Sequence, residues 1–168
     1  QFLLDGRERA FFQEIVQQVE SLPRTSENYL LCHTDLHHGN FHYDGTNLWI
    51  FDFDDCAYHY RVHDLAMPLY YVTWRHPGSE SEKLEFAARF FKSYLAGYLS
   101  EESITLQELQ YVDLFLRLRD GELCGLLRHE LGPNLSQAQQ KLLSGISDRL
   151  VSKKPVVTLD YADIFGQI

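Results

Sequence analysis

His33-Thr34-Asp35-Leu36-His37-His38-Gly39-Asn40, followed past a short turn by Phe51-Asp52-Phe53-Asp54-Asp55, is the stretch whose reading decides the fold. Between its two halves, residues 41–43 and 48–51 are short β-type runs around Asp44-Gly45-Thr46-Asn47, a pattern that predicts a hairpin. Asn40 comes just before the first strand and Asp52 just after the second. An antiparallel hairpin is expected to set those positions side by side, with Cα atoms about 5 Å apart. An amide oxygen and a carboxylate then meet at one end, and Asp35 hangs on the loop leading in. Two hard oxygen ligands of this kind suit Mg2+, which takes one or two protein ligands plus phosphate oxygens. A third carboxylate beside the metal is placed to accept a hydroxyl proton.

Outward from this stretch the texture is helical. Phe11, Ile15, Val19 and Leu22 form the stripe of an amphipathic helix over residues 7–22, and polar residues 23–28 break it. Residues 29–32 are a short apolar run, and residues 65–74 are apolar and aromatic. Ser79 with Glu82, Thr105 with Glu108 and Ser136 with Gln139 carry the capping-box spacing. They predict helices through Leu84, Ala87, Phe91 and Leu95, along a long stripe at 106–131, and on to about residue 151. The tail from Pro155 reads as extended. The expected fold class is mainly α with a small β-hairpin.

Composition narrows the class. The chain has 168 residues, 45% hydrophobic and 23% charged, enough for one domain with a sizeable core and unlike a disordered or fibrous chain. No apolar run approaches the roughly 18 residues of a membrane span. A net charge of −9 argues against nucleic acid as a partner. The widely spaced Cys32, Cys56 and Cys124 make neither a disulfide framework nor a zinc pattern, and with no signal-like segment at the start the cytoplasm is the expected compartment. The chain opens at Gln1 without Met and enters a helical pattern almost at once, which points to part of a longer polypeptide.

The ordered set resembles the protein-kinase-like catalytic core, where H-x-D-x-x-x-x-N precedes an Asp at the end of a hairpin. Within that superfamily, three pieces look like the aminoglycoside phosphotransferase and choline kinase group. These are His33 to Asn40 against H-G-D-L-H-x-x-N, Phe51-Asp52-Phe53-Asp54, and His63-Asp64-Leu65-Ala66. The resemblance covers residues 33–66 and implies the C-terminal lobe of a protein-kinase-like (α+β) fold. It implies transfer of the γ-phosphate of ATP, with Mg2+, to a hydroxyl of a small molecule. Asp35 would be the catalytic base, His33 would brace the loop, and Asn40 and Asp52 would hold the metal. Asp64 would tie the loop down, a role that a plain helix-start carboxylate explains as well. Asp54 and Asp55 would assist a metal or the substrate, or are simply solvated acids.

Two departures stand out. Thr34 occupies a position that is usually Gly in the family, so Thr34 is expected in an ordinary φ/ψ region. There is also no G-x-G-x-x-G loop and no V-A-I-K-like Lys. Residues 1–168 are therefore expected to form only the C-terminal lobe, with the N-terminal nucleotide-clamp lobe outside this chain and the isolated chain inactive. The cofactor-binding residues of that clamp stay unknown. One rival reading is a non-catalytic kinase-like binding lobe, or pseudokinase. Another is a metal-dependent phosphohydrolase with Asp35 and His37 as ligands, which the histidines His33, His37, His38, His42 and His59 invite. Tyr70, Tyr71 and Trp74 read as core rather than a substrate cage. Asp113, Asp120, Glu122 and Glu130 on the long stripe would suit a cationic acceptor or merely an exposed acidic face. Gly121 and Gly125 around Cys124 suggest close helix packing.

Overall fold

A computed structural model describes residues 4–168. The chain divides into two compact units. One comprises the N-terminal residues through Leu22 with Asp113–Val156, and the other Pro23–Val112 with Val157–Ile168.

In the first unit, α1 (Gly6–Glu20) packs against α6 (Gln137–Ser152), with α5 (Val112–Leu131) supplying the third helix. Asp5 caps α1 through a capping box with Glu8, and Ser136 with Gln139 does the same for α6. Ile15 and Val19 of the amphipathic stripe are buried, as are Leu143, Ile146 and Leu150. Glu8 is fully buried, yet its carboxylate is satisfied by Arg128, by the Ser147 hydroxyl at 2.7 Å and by the Asp5 N–H at 2.9 Å. A Cβ on Gly121 would stand 2.1 Å from Phe12 Cδ2, so the close packing suggested around Cys124 is present at that glycine. Two acidic residues offered as acceptor ligands are engaged otherwise. Asp120 is buried and holds Arg149 through both oxygens, at 3.1 and 2.5 Å, and Glu122 meets Arg119 at 3.3 Å.

The second unit carries two antiparallel strand pairs, where the sequence suggested one. β2 (Phe41–Tyr43) and β3 (Leu48–Ile50) form the expected hairpin, closed by the Asp44 carboxylate accepting the Thr46 and Asn47 N–H groups. β1 (Tyr29–Cys32) pairs with β4 (Ala57–Tyr60), Cys32 lying opposite Ala57. The loop after β1 and the segment before β4 therefore start from the same end of one ladder. The hairpin register is Phe41↔Ile50, which sets Asn40 opposite Phe51, whose N–H donates to Asn40 O at 3.0 Å. Asp52 thus lies one residue beyond the position directly opposite Asn40, a correction to the side-by-side expectation.

α2 (Val62–Trp74) follows β4 immediately and packs on α3 (Glu80–Glu101), which opens with the Ser79–Glu82 capping box. The long stripe does not run as one helix. The Thr105–Glu108 box caps only α4 (Leu106–Leu109), and Tyr111 turning its N–H onto Glu108 O ends it before α5 begins at Val112. Nor is the tail wholly extended. The Asp160 carboxylate accepts the Asp163 N–H and starts α7 (Tyr161–Gly166), which packs on α3 and α4. Leu65, Leu69, Tyr70, Phe91 and Leu95 are fully buried in this unit. Among the described residues no helix is long and apolar enough to cross a membrane.

Candidate active site

Asp35 lies on the loop that leaves β1. Its backbone carbonyl accepts Asn40 Nδ2 at 2.9 Å, and the same Nδ2 stands 3.4 Å from Asp35 Oδ2. His37 Nε2 is 3.3 Å from that oxygen, and the Tyr71 hydroxyl donates to Oδ1 at 3.4 Å. The Gly39 N–H donates to His37 Nδ1 at 2.9 Å, so the neutral ring carries its proton on Nε2, the nitrogen facing Asp35. A Cβ at Gly39 would come within 2.7 Å of His37 Cε1, so any larger residue there would push the His37 ring out of this position. Both oxygens of Asp35 thus face donors, while the side chain remains 21% exposed and open to a further partner.

Asn40 is buried, and its N–H donates to His37 O at 2.8 Å. With Nδ2 directed at Asp35, the amide is oriented, and no described residue donates to Oδ1. Asp52 is exposed, sits at φ 64° and receives no hydrogen bond from a described residue. His33 is buried, with Nε2 3.0 Å from Phe51 O and its ring 4.9 Å from that of Phe53. It therefore links the Asp35 loop to the segment on either side of Asp52. Asp54 is exposed without a hydrogen bond from a described residue, and Asp55 contributes its backbone carbonyl to Thr34 Oγ1 at 2.7 Å.

Asp64 stands in the first turn of α2, and its carboxylate crosses to the loop. Oδ2 accepts the His33 N–H at 2.8 Å and Oδ1 the Thr34 N–H at 2.9 Å. Burial alone would raise its pKa, but His63 beside it and these two N–H donors outweigh burial and hold the carboxyl below its ordinary value. Thr34 is not in an ordinary region: its φ is 64°. The expectation fails because tertiary contacts, the Asp64 carboxylate on its N–H and the Asp55 carbonyl on its hydroxyl, hold the residue where Gly would sit without strain.

Several roles were not legible in the sequence. Pro68 has no N–H to give the Asp64 carbonyl one turn back, and the Tyr94 hydroxyl donates to it at 3.1 Å instead. Burial pushes the Tyr94 pKa far up, so it remains a donor. Tyr71 and Trp74 share the helical spacing of buried Tyr70 but are only half-buried, and Tyr71 reaches Asp35. The His59 and His63 rings lie 4.4 Å apart, tilted by 53°, beside Asp64. Helical spacing alone cannot separate a core face from a cavity wall.

Residues 3–104 match the model of a family described as APH, phosphotransferase enzyme family. The amicoumacin kinase of Bacillus subtilis (strain 168) is 31% identical over 149 residues, spanning 88% of this chain and 44% of that protein. Amicoumacin kinase hAmiN, solved in complex with AMP-PNP, Ca2+ and Ami, superposes with a TM-score of 0.88 at 30% identity, over 97% of this chain and 50% of that one. The chain spans about half the length of these relatives.

Proposed function

The chain belongs to the phosphotransferase enzyme family, and on that premise we propose that it is the C-terminal, catalytic-loop-bearing lobe of an ATP-dependent small-molecule kinase. Asp35 is the base. It takes the proton of the acceptor hydroxyl, whose oxygen bonds to the γ-phosphorus as the bond to the β–γ bridging oxygen breaks and ADP leaves with that electron pair. The observation that carries this reading is the Asp35 carboxylate, held on both oxygens yet still open. Tyr71 and His37 orient it, and Asp64 and His33 hold the loop on which it stands.

The donor set suits a divalent ion. Asn40 Oδ1 and the Asp52 carboxylate are hard oxygens to which no described residue donates. Among the described residues no three His, Cys, Asp or Glu side chains converge as a cage, an arrangement that favours Mg2+ sharing phosphate oxygens over a zinc hydrolase site. Asn40 and Asp52 would hold Mg2+, which neutralises phosphate charge when bound. The nucleotide clamp comes from an N-terminal lobe. Exposed apolar side chains on the strand pairs, Leu31 at 65%, Trp49 at 50% and Tyr58 at 68%, and Phe53 at 56% on the segment between β3 and β4, support a covering partner.

Amicoumacin is the first acceptor to try, given the relatives. The full-length protein with Mg2+ and ATP is expected to release ADP only when an acceptor is present, and the product to gain one phosphoryl group by mass. ADP release that is independent of every acceptor, with free phosphate as the only product, would instead support a hydrolase.

A further inference from the structure

Asp52 stands on a segment that has no buried side chain. Residues 51–55 are all exposed, Phe51 and Phe53 included, so packing does not fix the carboxylate and its placement falls to hydrogen bonds. Two of these come from consecutive residues of the catalytic loop. His33 Nε2 donates to Phe51 O at 3.0 Å, just before Asp52, and the Thr34 hydroxyl donates to Asp55 O at 2.7 Å, three residues after it. Between the two anchors the chain turns, with Asp52 at φ 64° and the Cys56 N–H on Phe53 O at 3.1 Å. The Thr34 end is itself held, because Asp64 Oδ1 accepts its N–H at 2.9 Å. With that backbone fixed, the few χ1 choices of a β-branched side chain aim the hydroxyl.

We infer that Thr34 is a positioning residue for the divalent metal: its hydroxyl, aimed by Asp64, ties the far end of the Asp52–Asp55 turn to the loop that carries Asp35 and so fixes where the Asp52 carboxylate stands. The inference rests on the kinase reading for the metal it serves. Mg2+ demands near-ideal octahedral geometry, so its affinity falls when a ligand is displaced. A residue that only holds a ligand in place is therefore felt at the metal. His33 alone would anchor the segment at one end and leave the other to swing. Glycine, usual at this position in the family, has no hydroxyl. The second tie thus belongs to Thr34 and not to the loop motif as such.

The test uses the full-length protein with AMP-PNP and reads Mn2+ affinity from the loss of the free-ion EPR signal, beside the Mg2+ requirement of ADP release. Thr34→Ala is expected to weaken Mn2+ about fivefold and to raise the Mg2+ for half-maximal rate by the same factor. Thr34→Ser keeps the hydroxyl and is expected to stay within about twofold of wild type. Alanine and serine differ there only in the hydroxyl, so backbone strain does not account for a gap between them. In an Asp52→Asn background Thr34→Ala is expected to cost nothing further, because it acts through Asp52. Melting curves check folding; Thr34→Gly, free of the φ penalty, replaces Thr34→Ala if that variant does not fold. Unchanged Mn2+ affinity in the folded variant lacking the hydroxyl, equal losses in Thr34→Ala and Thr34→Ser, or a loss that persists in full beside Asp52→Asn overturns the inference. The two readings fail separately. ADP release with unchanged Mn2+ affinity in Thr34→Ala overturns the inference and leaves the kinase. Hydroxyl-dependent Mn2+ affinity with no ADP release from any acceptor supports the role of Thr34 and removes the kinase.

Discussion

The Asp64 carboxylate accepts the Thr34 N–H at 2.9 Å while Thr34 holds φ at 64°. A β-branched residue in that region costs on the order of 1–2 kcal/mol, and a hydrogen bond to a charged group returns about 1.5–3 kcal/mol. Asp64 therefore offsets the strain it imposes. Asp64→Asn keeps one acceptor oxygen for two N–H groups and is expected to lower stability by about 2–4 kcal/mol. Adding Thr34→Gly should restore part of the loss, since Gly carries no penalty there. Urea unfolding of both variants measures this, and equal stability of single and double variants would contradict it.

Tyr94→Phe removes the donor that replaces the missing Pro68 N–H at Asp64 O. A part-buried carbonyl loses this partner, at a cost of about 1–3 kcal/mol. A thermal melt is expected to show the loss, together with slower turnover as the Asp64 turn loosens. An unshifted melt would mean that water reaches the carbonyl.

How much of this was legible depends on range. The hairpin and its turn were readable because alternation and the Asp44-Gly45-Thr46-Asn47 turn act locally. Its register was not, because the turn length sets Tyr43 against Leu48 and so carries Asn40 to Phe51. The β1–β4 pair joins segments on either side of the whole motif, and the exposed side chains of β4 carry no strong alternation. The backbone of Thr34 is set by a carboxylate from α2, and the role of Tyr71 by where His37 falls. Residues within the motif, and Asp64 on α2, could be given roles from sequence; the supports supplied by Tyr71 on α2 and Tyr94 on α3 could not.

His59 supplies a pH dependence. Burial first, then the neighbouring His63, pulls its pKa down to about 4 from 6.5. A histidine depressed in the folded state contributes its stability fully above its unfolded pKa, and loses it as pH falls from 6.5 toward 4. With solvent screening at a ring only partly buried, the loss is on the order of 1–2 kcal/mol. His59→Gln should flatten the urea midpoint between pH 7.5 and 4.5 relative to wild type. Parallel curves for the two proteins would exclude His59 as the source.

In the first unit, Gly121→Ala would drive a methyl into Phe12. Overpacking of this kind costs about 1–3 kcal/mol, and Phe12→Ala in the same chain is expected to relieve it. A double-mutant cycle in urea reads the coupling. Additive effects would show that the ring swings away without cost.

Divalent metal should be required. Chelation with EDTA is expected to abolish ADP release and Mg2+ to restore it, with Asp52→Asn needing at least about tenfold more Mg2+ for half-maximal rate. Full activity in EDTA, or an unchanged Mg2+ requirement in Asp52→Asn, would remove Asp52 from the metal site.

The most direct measurement is single-turnover phosphoryl transfer by the full-length protein and its Asp35→Asn variant, with whichever acceptor supports ADP release. The account predicts a rate about 100-fold to 10,000-fold lower in the variant, with acceptor binding and melting temperature retained. Equal rates in the two proteins would contradict it, because the open carboxylate held by Tyr71, His37 and Asn40 would then do no chemistry.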